Sequence, residues 1–189
     1  MSVTSAAVAV VGAGAAGLMA AIAAASRGAD VALIERTPDG GRKILISGGG
    51  RCNILPSVLA PERFVTDSPA HVMRGMLKSW PLHEQRAFFE NDLNVPLALE
   101  EDSGKLFPES NRARDVRDGL VSLARERGVR LQFGTSVTAI ETGAAGFILA
   151  TSTGPVTAAR VIVATGGLSY RRPGATERDS PSRRPSVTG

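Results

Sequence analysis

Two short runs of β-branched and small apolar residues, Val8 to Val11 and Val31 to Ile34, read as buried parallel strands because neither alternates with polar positions. Between them the chain breaks at Gly12, Gly14 and Gly17 and passes into a long alanine-rich helix. Helical spacing returns in SPAHVMRGMLKSW, which puts Val72, Met76 and Leu77 on one face, and in PLHEQRAFFENDL, where Leu82, Phe88 and Phe89 supply apolar surface. Pro81 separates these two helices, since it suits a first helical position and not an interior one. Val116, Leu120, Leu123 and Ala124 mark a further helix, capped by Ser110 or Asn111 and stopped by Gly128.

Period-two and β-branched stretches fill the rest. Val95 to Leu99 is predicted as a strand, followed by a turn at Asp102 to Gly104 and a short strand into Phe107. Val129 to Phe133 is predicted as a third parallel strand beside the one ending at Glu35. Val137 to Ile140, Phe147 to Thr151 and Pro155 to Thr157 read as an antiparallel meander with glycine turns. Arg160 to Ala164 then returns as a buried strand ending in Thr165, Gly166 and Gly167, and the stretch RTPDGGRKILISGGGRCNILPS after Glu35 reads as a loop. The expected class is α/β: a Rossmann-like parallel sheet with flanking helices and a small antiparallel meander.

The first strand, glycine turn, helix and second strand carry specific chemistry. Gly12 permits the tight turn, Gly14 lets a pyrophosphate approach the backbone, and Gly17 lets the helix lie close on the strand. The free N–H groups and dipole of the helix face the phosphates. Glu35 ends the second strand roughly twenty residues beyond the glycines, where an acid holds a ribose hydroxyl. The bland alternative is a glycine turn in an ordinary βαβ unit. A membrane segment is a second alternative, because Ala6 to Ser26 carries no charge; its alanine and glycine give it weak hydrophobicity, and no positive region precedes it.

Composition narrows the picture. A chain of 189 residues suffices for one sizeable core. Its net charge of +4 is modest and concentrated in the last twenty or so residues, so no nucleic-acid partner and no membrane partner is expected. Cys52, the one cysteine, excludes an internal disulfide framework and agrees with a reducing cytoplasm. His71 and His83 have no metal-ligand spacing, so no metal is expected.

Gly48, Gly49 and Gly50 leave backbone bare of side chains, where a flat group could lie against N–H donors, with Arg42, Lys43 and Arg51 placing positive charge beside it. Such charge near a flavin favours its reduced, anionic ring. A flexible surface loop with solvated cations is the plain alternative. Cys52 reads as a small packing residue, Trp80 as core, and His83 as a surface or helix-start histidine and not a proton donor.

Taken in order, GAGAAG followed by ER, GRKILISGGGRCN, GKLFPES and VIVATGGLSY resemble the BaiN/RdsA family of NAD(P)/FAD-dependent oxidoreductases, the aminoacetone-oxidase-like flavoproteins. The resemblance covers Val8 to Tyr170 and implies a two-dinucleotide-binding-type FAD domain, a hydride-transferring flavoprotein, and FAD as cofactor with NAD(P) as a further electron donor or acceptor. It implies a pyrophosphate turn at Gly12, Gly14, Ala15, Ala16 and Gly17 and a ribose end at Glu35 and Arg36. It places Arg42, Lys43, Ser47, Gly48, Gly49, Gly50, Arg51, Cys52 and Asn53 in an FAD loop, and Val137, Thr165, Gly166 and Gly167 near the cofactor. Leu55 and Pro56 depart from the family's Thr-Asn. No catalytic acid or base is assigned, and a small-molecule substrate is the expected partner.

From 171 to 189 the chain is rich in Arg, Pro, Ser and Thr, with Val187 its only large apolar residue, so this tail is expected to be disordered and to form no strand. The family would continue with a cofactor loop and a substrate domain, so a frameshift or premature end is expected, leaving 1–170 as the N-terminal part of an FAD-binding domain. Two other functions stay open: an NAD-dependent dehydrogenase and a non-catalytic nucleotide-binding remnant.

Overall fold

The structure, a computed structural model, describes residues 4–167 and the backbone of 186–188. In chain order the elements are β1 (Thr4–Val11), α1 (Ala15–Ala25), β2 (Val31–Glu35), α2 (Arg42–Ile46), β3 (Leu55–Pro56), α3 (Ala70–Ser79) and α4 (Leu82–Ala87). They continue with β4 (Leu97–Glu100), β5 (Lys105–Pro108), α5 (Ala113–Glu126), β6 (Arg130–Phe133), β7 (Val137–Gly143), β8 (Gly146–Thr151), β9 (Val156–Val163) and β10 (Ser186–Thr188). The chain divides into two compact units, one of Met1–Arg42 with Val121–Gly189 and one of Lys43–Leu120.

The first unit is built on one sheet of order β10-β7-β8-β9-β1-β2-β6. β1 is parallel to both neighbours, with Val8 beside Val31 and Val10 beside Ile162. β6 lies parallel to β2, as the apolar pattern predicts, pairing Glu35 with Phe133. Val10, Leu18, Leu33, Ile34 and Leu149 are fully buried, each worth about 1.5–3 kcal/mol over exposure. α1 packs on β1 and β2 through Gly17, Leu18, Ala21 and Ile22. Gly28 ends that helix in the left-handed region, its N–H bonded to the Ala25 carbonyl. Gly128 stops α5 in the same way, and Val116, Leu120, Leu123 and Ala124 form its buried face as predicted.

The meander differs from expectation in two respects. Pro155 to Thr157 and Arg160 to Ala164 are not separate strands: Val156–Val163 is one strand, antiparallel to β8 over its first residues and parallel to β1 along its length. The pattern hides this because β8 pairs only the first residues of the strand while β1 pairs all of it. Nor is the second half buried, since Ile162 is 38% and Val163 54% exposed. Val187, expected in a tail without a strand, centres β10, which runs parallel to β7 beside Ile140. The other tail residues, and Leu168 to Tyr170, lie outside the described residues.

The stretch after Glu35, which runs from the first unit into the second, is more ordered than a loop. Arg42–Ile46 forms a helical turn held by buried Ile44, and Ser47–Gly50 forms a tight turn with Gly48 and Gly49 in the left-handed region. β4 begins two residues later than predicted, because the Val95 N–H bonds the Phe89 carbonyl and Pro96 has no N–H to give a ladder. With β3 and β5 it makes a three-stranded antiparallel sheet of order β3-β5-β4. α4 runs into a single π-helical turn at Phe88–Asp92. Trp80 packs edge-on to Phe88, centroids 5.7 Å apart, but both rings are only half-buried and lie outside the buried core. The expected apolar face of α3 is not realised: Met76 is 63% exposed and no residue of the helix is fully buried. The cap of α5 also differs, since Asn111 takes a left-handed backbone and the helix starts at Ala113.

Candidate functional site

At the carboxyl end of β1 the chain turns sharply at Gly12, whose φ of +103° disfavours a side chain. A Cβ there would lie 2.6 Å from the Ala164 carbonyl oxygen, and one at Gly17 would lie 1.8 Å from the Gly12 oxygen and 3.3 Å from the Ala164 Cβ. Both glycines are therefore demanded by packing: strand, turn and helix touch through bare backbone. Gly14 is different. It has an ordinary extended conformation, and nothing lies within 4 Å of the place its Cβ would take. The space beside Gly14 is therefore open, and no packing contact demands a glycine there.

The first intrahelical bond of α1 runs from the Leu18 N–H to the Gly14 carbonyl. Ala15 and Ala16 are exposed, no side chain caps the helix, and no described residue accepts from the N–H groups of Gly14 to Gly17. Orphan donors at a helix start carry partial positive charge and suit an anion. Such donors are of the kind a diphosphate accepts.

Glu35 ends β2 and is half-buried. One carboxylate oxygen accepts the Ala13 N–H at 2.7 Å and the other the Thr37 N–H at 2.8 Å. A carboxylate has about four acceptor positions, so two remain for a ligand hydroxyl. The loop after Glu35 closes on the same residue, with the Gly41 N–H donating to the Ala13 carbonyl at 2.8 Å and the Gly40 N–H to the Thr37 hydroxyl at 3.1 Å. Gly40 has a positive φ and sits against Ala13 and Phe133, where a Cβ would be a tight fit at 3.1 Å. Sequence reasoning missed Thr37, Gly40 and Gly41; the signal was the glycine pair in the turn that follows the acid.

The end of β9 stands beside this turn. The Ala164 N–H bonds the Val11 carbonyl at 2.8 Å, and Thr165, Gly166 and Gly167 follow, all exposed. Gly12, Gly14, Gly17, Glu35 and Thr165 thus share one end of the sheet. Val137, half-buried, packs against the apolar cluster that includes Ala9, Val11, Ile34 and Leu149.

In the second unit, Gly48 to Gly50 all have positive φ, and a Cβ at Gly48 would meet the Asn53 N–H and the Phe107 ring. Arg51 is engaged rather than solvated: its Nη1 donates to Glu100 at 2.7 Å, and its guanidinium lies 4.2 Å over Phe107. The Ser103 hydroxyl donates to the other Glu100 oxygen, and these contacts hold the Glu100 carboxyl below its usual range. Cys52 is buried in a left-handed conformation, and burial pushes its thiol up against a smaller lowering from Ser47, which fits a packing residue and not a thiolate. Arg36, Arg42, Lys43 and Asn53 are exposed. His71 and His83 are exposed as well, and no cluster suited to a metal ion occurs among the described residues. No described helix is long and apolar enough to cross a membrane.

A glycine turn opening a helix at the end of β1, with an acid closing the next parallel strand, defines a dinucleotide-binding α/β domain of Rossmann type. Within that class the chain belongs to the HI0933-like Rossmann domain family, whose profile matches residues 6–183. It is 31% identical to the 3-dehydro-bile acid delta(4,6)-reductase of Clostridium scindens over 168 residues, 88% of this chain and 40% of the relative. It is also 31% identical to the ribosomal RNA dihydrouridine synthase of Escherichia coli over 168 residues, 88% of this chain and 41% of the relative. The chain therefore spans about two fifths of the length of these curated relatives. Among solved structures it resembles the 3-ketosteroid-delta4-(5alpha)-dehydrogenase of Rhodococcus jostii RHA1 (TM-score 0.61, 20% identity, 85% of this chain and 45% of that one). It also resembles a flavocytochrome c3 fumarate reductase (TM-score 0.58, 21% identity, 87% of this chain and 34% of that one). These likenesses establish the fold.

Proposed function

We propose that this chain is the nucleotide-holding part of an FAD-dependent oxidoreductase that passes hydride between a small organic substrate and the flavin. NAD(P) is proposed as the electron donor or acceptor. The observation that carries the reading is the set of N–H groups at the start of α1 that no described residue accepts, beside the open space at Gly14. Bound FAD would supply a ring that accepts and returns hydride.

The chain's own residues do the holding. Gly12 and Gly17 keep strand and helix in contact, and Gly14, Ala15 and Ala16 present donors to the diphosphate. Glu35 offers its two remaining acceptor positions to the ribose hydroxyls, with Arg36 beside it in sequence. Thr165, Gly166 and Gly167 supply small exposed residues next to the turn. Arg42, Lys43 and Ser47 to Asn53 are proposed as a further FAD-binding loop, supported by their likeness to the family motif. Both named relatives carry the names of reductions, which supports hydride chemistry; the small-molecule substrate rests on the bile-acid enzyme, and an RNA uridine belongs among the substrates tried.

A second reading is nucleotide holding without turnover, for which the turn at Gly12 to Gly17 and Glu35 would suffice. Titrating the purified chain with FAD and with ADP separates the two. A flavoprotein binds FAD at least tenfold tighter than ADP and stays yellow after desalting, whereas a remnant binds both equally. Tight NAD binding without retained flavin points to a dehydrogenase, and no binding of any of the three defeats the nucleotide reading.

A further inference from the structure

The acid at the end of β2 makes its strongest contacts within the chain. Both carboxylate oxygens of Glu35 accept backbone N–H groups at 2.7 and 2.8 Å, from Ala13 and Thr37. The Ala13 peptide is held on its other side too, because its carbonyl accepts the Gly41 N–H at 2.8 Å. The Thr37 hydroxyl in turn accepts the Gly40 N–H, and the Thr37 carbonyl accepts the Gly134 N–H. Ala13 is fully buried and precedes the residue that opens α1. The orientation of the Gly14, Ala15 and Ala16 donors therefore follows from how Ala13 is clamped.

We propose that Glu35 is a positioning residue for the phosphate turn, acting through the Ala13 N–H to hold the open amides of α1 in place before any ligand arrives. This deepens the nucleotide reading above and rests on it for the ligand. A charge-assisted bond from carboxylate to backbone N–H is about twice as strong as a neutral one. A glutamine in its place keeps one oxygen acceptor and turns an NH2 donor toward a second N–H donor, so one of the two bonds must be lost.

The consequence is opposite in sign to simple electrostatics. Removing a negative charge near an anion site favours anion binding, so if Glu35 only received ribose hydroxyls, Glu35→Gln would leave inorganic pyrophosphate binding unchanged or tighten it. If Glu35 positions the turn, the same substitution weakens pyrophosphate, which has no ribose. Glu35→Asp keeps the charge but is one methylene shorter, so it isolates reach from charge.

The test is amide hydrogen exchange of the full chain without ligand, followed by NMR titration with inorganic pyrophosphate. Expected are at least tenfold faster exchange at the Ala13 amide in both variants and at least tenfold weaker pyrophosphate binding. Unchanged Ala13 exchange overturns the proposal, as does pyrophosphate binding that stays equal or tightens while ADP binding weakens. Should the wild-type chain bind no pyrophosphate or ADP, the nucleotide reading fails, and the exchange rates alone still decide whether Glu35 clamps the turn.

Discussion

Replacing Gly17 by alanine sets a methyl group 1.8 Å from the Gly12 carbonyl oxygen, where ordinary contact begins near 3.4 Å. About 1.6 Å of separation must then be found between turn and helix, and both obstructing groups are backbone or, at Ala164, a short rigid side chain. Overpacking of this kind costs about 3 kcal/mol or more, while alanine over glycine inside a helix returns about 1 kcal/mol, leaving a net loss of about 2 kcal/mol or more. Gly14→Ala is the matched control, because its Cβ meets nothing within 4 Å and its backbone suits any residue. At an N-cap that change costs about 1 kcal/mol at most. Urea unfolding followed by circular dichroism reads the first effect, and ADP calorimetry reads the second. Gly17→Ala should lower the unfolding midpoint clearly; Gly14→Ala should nearly keep it and yet weaken ADP at least tenfold. A Gly17→Ala chain as stable as wild type would refute the packing argument, and a Gly14→Ala chain with wild-type ADP affinity would refute the open-cradle argument.

Three other outcomes are expected. Leu149→Ala, in the first unit's core, should cost about 2–5 kcal/mol in urea unfolding, whereas Ile162→Ala, at a position 38% exposed, should cost clearly less. The Glu100 carboxyl is held low by Ser103 and Arg51, so it favours the folded state above the ordinary carboxylate range; that contribution fades as pH falls through the lowered value, and Glu100→Gln should flatten this acid limb of a stability-against-pH curve. Cys52 is buried with its thiol pushed up, so alkylation at neutral pH should be slow in the folded chain and fast in urea, as read by mass spectrometry of iodoacetamide adducts.

What was legible in the sequence was what periodicity and glycine spacing encode directly. Val8 to Val11 and Val31 to Ile34 read as buried strands and Val129 to Phe133 as a third parallel one, and the three are neighbours in the sheet. The jobs of Gly12 and Gly17 followed from the motif, and the close contacts with Ala164 and the Gly12 carbonyl give them their physical reason. Where composition misled, tertiary pairing decided. Arg160 breaks an apolar run without breaking β9, because strand identity there is set by β1 on one side. Val187 joins β7 through backbone bonds that side-chain character does not reveal. Met76 follows helical spacing yet stays exposed, since spacing gives a face and not a partner. The engagement of Arg51 by Glu100 and Phe107, and of Glu35 by Ala13, joins residues far apart in sequence, which no local pattern displays.

The central claim is that the bare amides opening α1 hold a diphosphate. Titration of the isotopically labelled chain with ADP, followed amide by amide, tests it most directly. The expected result is that the Gly14, Ala15, Ala16 and Gly17 resonances shift together and saturate with one dissociation constant. The contradicting result is an unshifted turn, or saturable shifts confined to residues elsewhere in the chain.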